Sequence, residues 1–430
     1  MPWLRLAALV LLGLFFVASS AHGHGHSHSH SHTSFDPTLR SPALARLPTG
    51  ATKPRGWLLE ELSLQATGLS GALPDFWGFI NRSAWVNPGG GSTPQQFVPY
   101  YLNGLIPLSY QLEDQPAAVS AKLASIRDRY VAYILAHQQT SAGMGWLGPS
   151  IPRSTTVREG VVDPRDSPAR EYWSKYLAVE AIESYAEYAE YAEALAEALK
   201  ADTTTTAATT ATNAATTTTT ATTTTITTAT TTTTTTLRAN ATAVKDALIA
   251  HHRAFWLQLK DNQPPLNESR WGFARYSDGI VGIQWLLDHG EGDTSDTAFL
   301  WSLMRSLRDG SDAIMAAADH SWEAYFREGV DPFAAHDDGE ATGTVHLLRH
   351  GVDIGQAMKT GALWWRVDGK KEDLENPAAA LRWAEDFLHR PDGMYFADEE
   401  VGGSNTPRYV ITYFSLCSVY VQSMFSQCSV

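Results

Sequence analysis

Three consecutive acids lie between an aromatic pair and two glycines in residues 394–403, MYFADEEVGG. A carboxyl group in such a segment can donate a proton to a leaving oxygen, as glycoside hydrolysis requires. Glu399 is the candidate, because the aromatic pair would partly desolvate it and the neighbouring charges of Asp398 and Glu400 would raise its pKa. A solvated acidic turn is the alternative, and residue type alone favours the turn.

A histidine pair precedes this segment, in residues 344–366. His346 and His350 are four residues apart and Asp353 follows three residues later, so a helix would place all three on one face. That face could bind a metal or hydrogen-bond a sugar hydroxyl. The glutamate that zinc proteases carry between two such histidines is absent. A satisfied structural pair is the alternative.

The chain contains 14 Trp, 16 Tyr and 15 Phe. Aromatic faces in a cleft pack against the C–H faces of a sugar ring, while polar groups take its hydroxyls. As a population these residues favour a carbohydrate ligand, although any single one is better explained as core. Trp85 and Trp146 are the candidate sugar-binding rings. The aromatic residues expected in loops are Trp77, Trp85, Tyr100, Tyr101, Trp146, Trp271 and Tyr395.

The elements that must position these residues are predicted to be helices. Apolar residues recur every three or four positions in the long segments, and Pro and Gly clusters divide them. The fold class is therefore all-α, built from helical hairpins, and an α/α toroid suits the number of segments better than a four-helix bundle. The predicted helices cover residues 57–69, 117–137, 171–200, 241–260, 277–287, 297–307, 345–365 and 377–388.

The N-terminus predicts export. Arg5 precedes an apolar run over residues 6–17 and small residues follow, which indicates a cleaved signal peptide over residues 1–21. The run is shorter than the roughly 20 residues that span a bilayer, so no membrane anchor is expected. Residues 22–54 begin with alternating histidines and are predicted to be a disordered linker. We expect a secreted or luminal protein.

Other features of composition agree with this compartment and narrow the partners. Asn81, Asn240 and Asn267 begin glycosylation sequons. The net charge of −14 argues against a nucleic acid partner. Only two cysteines occur, Cys417 and Cys428, so no disulfide framework is predicted.

A Thr- and Ala-rich tract over residues 202–236 interrupts the helical segments. It lacks an amphipathic period and cannot bury enough apolar surface to fold. We therefore expect a disordered, O-glycosylated insertion within one domain over residues 55–415, followed by a divergent tail over residues 416–430.

Several of these segments together resemble the catalytic domain of glycoside hydrolase family 127, the β-L-arabinofuranosidase-like proteins. The resemblance covers residues 54–403, and its pieces occur in the family's order. The pieces are GWLLEELSLQATGLSGALPDFW, FVPYYLNGLIPLSYQLED, GWLGP, RYSDGIVGIQWLLD, HGVDIGQAMKTGALWW and GMYFADEEVGG.

The resemblance implies an (α/α)6 barrel followed by β-sandwich domains, and a retaining hydrolase. In that family a zinc-bound cysteine thiolate is the nucleophile and a glutamate is the acid/base. By motif, Glu399 matches the acid/base, His350 matches a histidine that contacts the sugar, and Cys417 matches a zinc ligand. Ser415 stands where the family has a glutamate, and the chain ends without the family's downstream cysteine pair or β-sandwich domains.

The sequence thus predicts a secreted hydrolase acting on terminal β-L-arabinofuranosides of an arabinose-containing glycan. Because the zinc and nucleophile site is incomplete, activity is expected to be weak or absent. One alternative is a carbohydrate-binding or structural glycoprotein without activity. Another is an (α/α)6 enzyme such as an unsaturated glycuronyl hydrolase, which needs carboxyl groups and no thiolate.

Overall fold

The computed structural model describes a helical protein. The described residues are 38–42, 46–90, 96–138, 145–149, 172–210, 240–257, 259–260, 270–290, 294–316, 320–333 and 348–389, with 391, 395 and 401. All of them lie in one compact unit, 37–430. Within these ranges there is no β-strand, and an isolated bridge joins His389 to Tyr395. The predicted all-α class is confirmed.

Many of the observed helices begin or end close to the residues predicted from the sequence. The predicted helix over 117–137 is observed as Ala117–Ala136, for example. In chain order the helices are α1 (Trp57–Thr67), α2 (Leu69–Phe76), α3 (Gly78–Asn81), α4 (Phe97–Gln111), α5 (Ala117–Ala136), α6 (Tyr172–Thr210), α7 (240–257), α8 (Arg270–Ala274), α9 (Tyr276–His289), α10 (Thr294–Met315), α11 (Trp322–Arg327), α12 (Gly351–Ala357), α13 (Thr360–Asp368) and α14 (Lys371–Phe387).

Helices α4, α6, α9 and the pair α12–α13 pack side by side in that order and run in the same direction. Side-chain contacts establish the direction, because residues early in one helix contact residues early in the next, and late residues contact late ones. Between α4 and α6, the early contact is Tyr100 with Trp173 and the late one is Tyr110 with Tyr188. Between α6 and α9, they are Trp173 with Arg275 and Glu187 with Trp285. Between α9 and α12–α13, they are Ser277 with Gln356 and Asp288 with Arg366.

Parallel neighbours need a helix that returns the chain between them. Helix α7 returns between α6 and α9, and it is antiparallel to α6, since Phe255 contacts Tyr172 while Asn240 contacts Tyr185. Helices α5, α10 and α14 also pack on α4, α9 and α13, respectively. The parallel helices therefore form one layer and the return helices a second, which is the arrangement of successive helical hairpins.

Several expectations about helix limits differ from the structure: the helix predicted over 297–307 is observed as Thr294–Met315, and the helix predicted over 377–388 begins at Lys371. The helix predicted over 345–365 is observed as α12 and α13, separated by Met358 and Lys359, and Lys359 pairs with Asp278. The insertion predicted from residue 202 begins inside α6, which continues to Thr210. Extending an existing helix costs far less than starting one, which explains this continuation into threonines. Residues 211–236 lie outside the described residues.

Gly282 allows α6 and α9 to approach closely. A Cβ at this position would lie 2.7 Å from Cγ1 of Val179 and 2.9 Å from Oε1 of Glu183. We expect Gly282→Ala to lower the free energy of unfolding by about 1–3 kcal/mol, because the two helices must separate. The matched control is Gly104→Ala, at an exposed position of α4 where a Cβ would meet nothing within 4 Å.

This control is expected to raise stability by about 0.5–1 kcal/mol through helix propensity. Urea denaturation of both variants measures the difference. Equal changes in the two variants would show that the α6–α9 contact does not depend on the missing side chain.

None of the helices in the described ranges is long and apolar enough to cross a membrane. The predicted signal peptide, residues 1–21, lies outside those ranges.

Candidate functional site

The parallel helices begin at one end of the layer, and the side chains there form what we call the aromatic end: Tyr100, Trp173, Trp271, Arg275 and His350. The Arg275 guanidinium lies 4.4 Å from the ring centroid of Trp173 and 5.1 Å from that of Trp271. The rings of Trp271 and His350 meet edge to face at 4.9 Å. Trp173, Trp271 and Tyr100 are only partly buried. This end thus combines aromatic rings with hydrogen-bond donors.

A buried ion pair holds Arg275 in place. Its Nε donates to Oδ1 of Asp353 at 2.6 Å, and both side chains are almost completely buried. Nδ1 of His350 lies 3.5 Å from the same carboxylate oxygen. Burial raises the pKa of Asp353 to about 6, although the charge of Arg275 and its hydrogen bond act in the opposite direction. Asp353 thereby orients Arg275, with His350 close to the same carboxylate.

One helical turn deeper lies a second group, the charged seam, which consists of Glu180, Asp278 and Lys359. The ammonium of Lys359 is buried and forms an ion pair with Asp278, and it lies 3.9 Å from Oε1 of Glu180. Asn103 Nδ2 donates to the other carboxyl oxygen of Glu180 at 3.4 Å. Burial and then the charge of Asp278 raise the pKa of Glu180 to about 7.

The charged seam therefore provides a carboxyl group that can hold or release a proton near neutral pH, beside a carboxylate and an ammonium. Pairs of carboxyl groups in different environments are the usual means of acid–base catalysis on glycosides. The aromatic end provides the stacking surfaces and donors that a sugar needs. Together the two groups suit recognition and acid–base chemistry of a carbohydrate.

Stability should depend on pH because several buried carboxyl groups keep their protons. Burial is the main cause that raises the pKa of Glu180 and Asp373 to about 7 and that of Asp353 to about 6. The folded state thus binds more protons than the unfolded state, and stability is lost as pH rises through these pKa values. Burial lowers the pKa of His252 to about 4, and this shift makes stability increase with pH instead. The effect is confined to pH values below about 6.5, where histidine in the unfolded chain is charged.

Between pH 6.5 and 7.5 we therefore expect the free energy of unfolding to fall, by roughly half a kcal/mol per pH unit for each of Glu180 and Asp373, because these two groups lose their protons in the folded state near pH 7. Urea denaturation across this interval measures the slope. Glu180→Gln, which is neutral at every pH, should reduce the slope. A stability that is constant or rises across the interval would contradict the expectation.

The predicted sugar-binding residues occupy different places. His350 belongs to the aromatic end, as described. Trp85 and Trp146 instead are buried, with 1% and 8% of their surface exposed. The Lys175 ammonium lies 5.4 Å from each of these ring centroids and donates to the carbonyl oxygen of Leu147 at 2.8 Å. In this structure the two rings surround an ammonium group of the chain itself rather than facing a cleft.

The predicted acid/base residue Glu399, the zinc ligand Cys417 and the sequon residue Asn267 lie outside the described residues. Val401, two residues after Glu399, donates its backbone N–H to the carbonyl oxygen of Arg349 at 2.8 Å. Arg349 directly precedes His350, so the chain after Glu399 returns to the aromatic end.

The two described sequon residues are both hydrogen-bonded and partly buried. Asn81 Nδ2 donates to the carbonyl oxygen of Pro74 at 3.0 Å, and Asn240 Nδ2 donates to the hydroxyl of Tyr185 at 3.4 Å. Glycan attachment at Nδ2 would have to replace these contacts. Glycosylation at these positions stays a prediction.

Sequence reasoning did not identify Arg275, Glu180, Asp278 or Lys359 as site residues. A signal existed for two of them, since Arg275 and Asp278 are three residues apart at the start of the segment RYSDGIVGIQWLLD. A similar signal lies in α6, where acids recur at three- and four-residue spacing from Glu180. That pattern is equally typical of a solvated helix face, so it did not distinguish burial from exposure.

No metal site is formed by the described part of the chain, where no group of three or more His, Cys, Asp or Glu side chains could hold an ion. Cys417 and Cys428 lie outside it. The predicted zinc site stays a prediction.

No protein-family model, curated protein or solved structure matches this chain.

Proposed function

We propose that this chain is a secreted carbohydrate-active protein of the family 127 type, in which a terminal β-L-arabinofuranose binds at the aromatic end. The observation that carries the proposal is the convergence of Trp173, Trp271, Arg275 and His350 at the starts of parallel helices. In α/α toroids the inner helices are parallel, so the observed layer is compatible with an (α/α)6 barrel as the complete architecture.

The partly buried rings and the buried ion pair have complementary roles in this proposal. Trp173 and Trp271 would pack against the apolar face of the furanose, while Arg275 and His350 would donate to its hydroxyls. Because Asp353 holds Arg275 in one orientation, little side-chain entropy would be lost on binding. The return of the chain at Val401 favours a role for Glu399 at this end.

In the leading mechanism, Glu399 would donate a proton to the leaving oxygen while a cysteine thiolate forms a bond to the anomeric carbon, and Glu399 would then accept a proton from the water that releases the sugar from the thiolate. Cys417 would be one ligand of a zinc ion, which would keep a thiol ionised near neutral pH.

A second candidate mechanism uses carboxyl groups alone, as in unsaturated glycuronyl hydrolases. The observation that favours it is the charged seam, where Glu180 has its pKa raised to about 7 beside Asp278. Glu180 would act as the proton donor and no thiolate would be needed.

Turnover of p-nitrophenyl β-L-arabinofuranoside separates these candidates. The leading mechanism predicts release of p-nitrophenol that requires zinc and is lost in Cys417→Ser. The carboxyl mechanism predicts release that survives chelation and Cys417→Ser but is lost in Glu180→Gln. Binding of the glycoside without any release would support a lectin-like protein. Absence of both binding and release would contradict the proposed function.

A further inference from the structure

A cavity of about 280 Å³ lies at the opposite end of the parallel layer, away from the aromatic end. It is lined by residues of α6, α9 and α13 and by Pro42, Arg46 and Pro48. This volume is slightly below the roughly 300–1,000 Å³ of pockets for drug-sized ligands, so its occupant would be a small molecule. Its charged lining residues are Arg46, Glu183, Glu187, Glu190, Asp288 and Arg366.

Most of these charges already have partners. Glu187 forms an ion pair with Arg46 and accepts from Thr49 Oγ1 at 3.0 Å and from Trp285 Nε1 at 3.1 Å. Arg366 donates to Asp288 at 2.7 Å. These pairs stabilise the wall of the cavity and leave little capacity for a ligand.

Glu190 is also paired, with Lys245 at 2.5 Å. Glu183 differs from all of these. Its side chain is 2% exposed, and its Oε1 has no hydrogen-bond partner within the part of the chain that the structure describes. A buried carboxyl oxygen without a donor is costly, which points to a ligand group that supplies one.

The chemistry of the wall indicates the charge of that ligand. The four carboxyl groups that line the cavity face three cations, Arg46, Arg366 and Lys245, so one carboxyl group is in excess, and α9 and α13 end near the cavity. Helix C-termini carry partial negative charge, which also favours a cation. The wall also contains apolar side chains, among them Val281, Trp285 and Leu363.

We propose that this cavity binds a small protonated primary amine, with its ammonium donating to Glu183 and its hydrocarbon part packed against Trp285, Val281 and Leu363. This inference does not depend on the proposed carbohydrate function. The rim is open to solvent through Arg46 and Asp288, whose side chains are each 37% exposed.

The ionisation of Glu183 is compatible with such a ligand. Burial and then the charge of Glu180 raise the pKa of the Glu183 carboxyl well above its usual range, although Arg46 acts in the opposite direction. A cation beside the carboxyl favours its charged form, so the amine and the carboxylate would stabilise each other.

Isothermal titration of the full chain with benzylammonium and with benzyl alcohol tests the proposal, because the two probes have nearly the same shape and differ in charge. We expect benzylammonium to bind at least about ten-fold more tightly. Glu183→Gln should remove that preference, whereas Glu190→Gln should keep it. Equal affinity for the two probes, or a preference that survives Glu183→Gln, would overturn the proposal.

A second variant guards against misfolding of Glu183→Gln. Ala362 lines the cavity, so Ala362→Leu would fill part of it without changing a charge. Binding of benzylammonium should then weaken by about ten-fold or more. Unchanged affinity in this variant would place the amine elsewhere and overturn the proposal by a separate route.

Discussion

Asp353→Ala is expected to lower the free energy of unfolding by about 3–5 kcal/mol, close to the largest effect of a single substitution. The reason is Arg275, whose guanidinium would remain buried without its carboxylate. Urea denaturation with circular dichroism measures the loss. The resemblance to family 127 does not predict this loss of stability, because it assigns no role to Asp353.

An exposed ion pair provides the matched control. Lys122 and Asp75 are 2.5 Å apart, but their side chains are 50% and 60% exposed. Asp75→Ala should therefore cost less than about 1 kcal/mol. Replacing Arg275 and Asp353 together by leucine should recover part of the stability lost in Asp353→Ala, because no unpaired charge remains. Similar losses at Asp353 and Asp75 would contradict the importance of burial.

Glu399→Gln is expected to lower the rate of hydrolysis of β-L-arabinofuranosides by roughly 10²–10⁴-fold, the usual contribution of a general acid. The physical reason is that glutamine cannot donate a proton to the leaving oxygen. Because the sequence predicts weak activity, the rate is best measured in a single turnover with protein in excess over substrate.

The leaving group makes this prediction specific to a proton donor. A nitrophenolate leaves readily without protonation, so the loss should be smaller for the p-nitrophenyl glycoside than for the methyl glycoside. Glu400→Gln changes the neighbouring acid and should reduce the rate much less. A loss that does not depend on the leaving group, or an equal loss in Glu400→Gln, would show that Glu399 is not the acid.

The helical class follows from sequence because it depends on local periodicity. Predicted and observed limits agree within one residue over α5, as local apolar spacing determines both. The buried pair of Lys359 with Asp278, 81 residues earlier in the chain, does not follow from local periodicity. Periodicity carries no information about such distant contacts.

The candidate site was predictable only in part, for the same reason. The sequence predicts His350 as a site residue because it shares a helical face with His346 and Asp353 and because it matches a sugar-contacting histidine in the resemblance. The charged seam gathers residues of α6, α9 and the α12–α13 turn, whose proximity arises from the parallel packing of these helices. Trp85 and Trp146, in contrast, were predicted to bind sugar and are buried. The aromatic content of the sequence favours a sugar-binding surface but does not indicate which rings are buried.

The two ends of the parallel layer have different chemistry. The aromatic end lies at the helix N-termini and presents donors such as Arg275. The cavity near Glu183 lies at the C-terminal ends of α9 and α13 and has an excess of carboxyl groups. The helix dipoles favour this division, because they attract electron-rich groups to one end and cations to the other.

The most direct test of the proposed function is a calorimetric titration with methyl β-L-arabinofuranoside. Three proteins are titrated: the unmodified protein, the Trp173→Leu variant and the Trp256→Leu variant. Trp173 belongs to the aromatic end, whereas Trp256 packs against Phe299 of α10. We predict that the sugar binds the unmodified protein and Trp256→Leu alike and binds Trp173→Leu at least about ten-fold more weakly. Equal affinity of all three proteins, or no binding to any of them, would contradict a sugar site at the aromatic end.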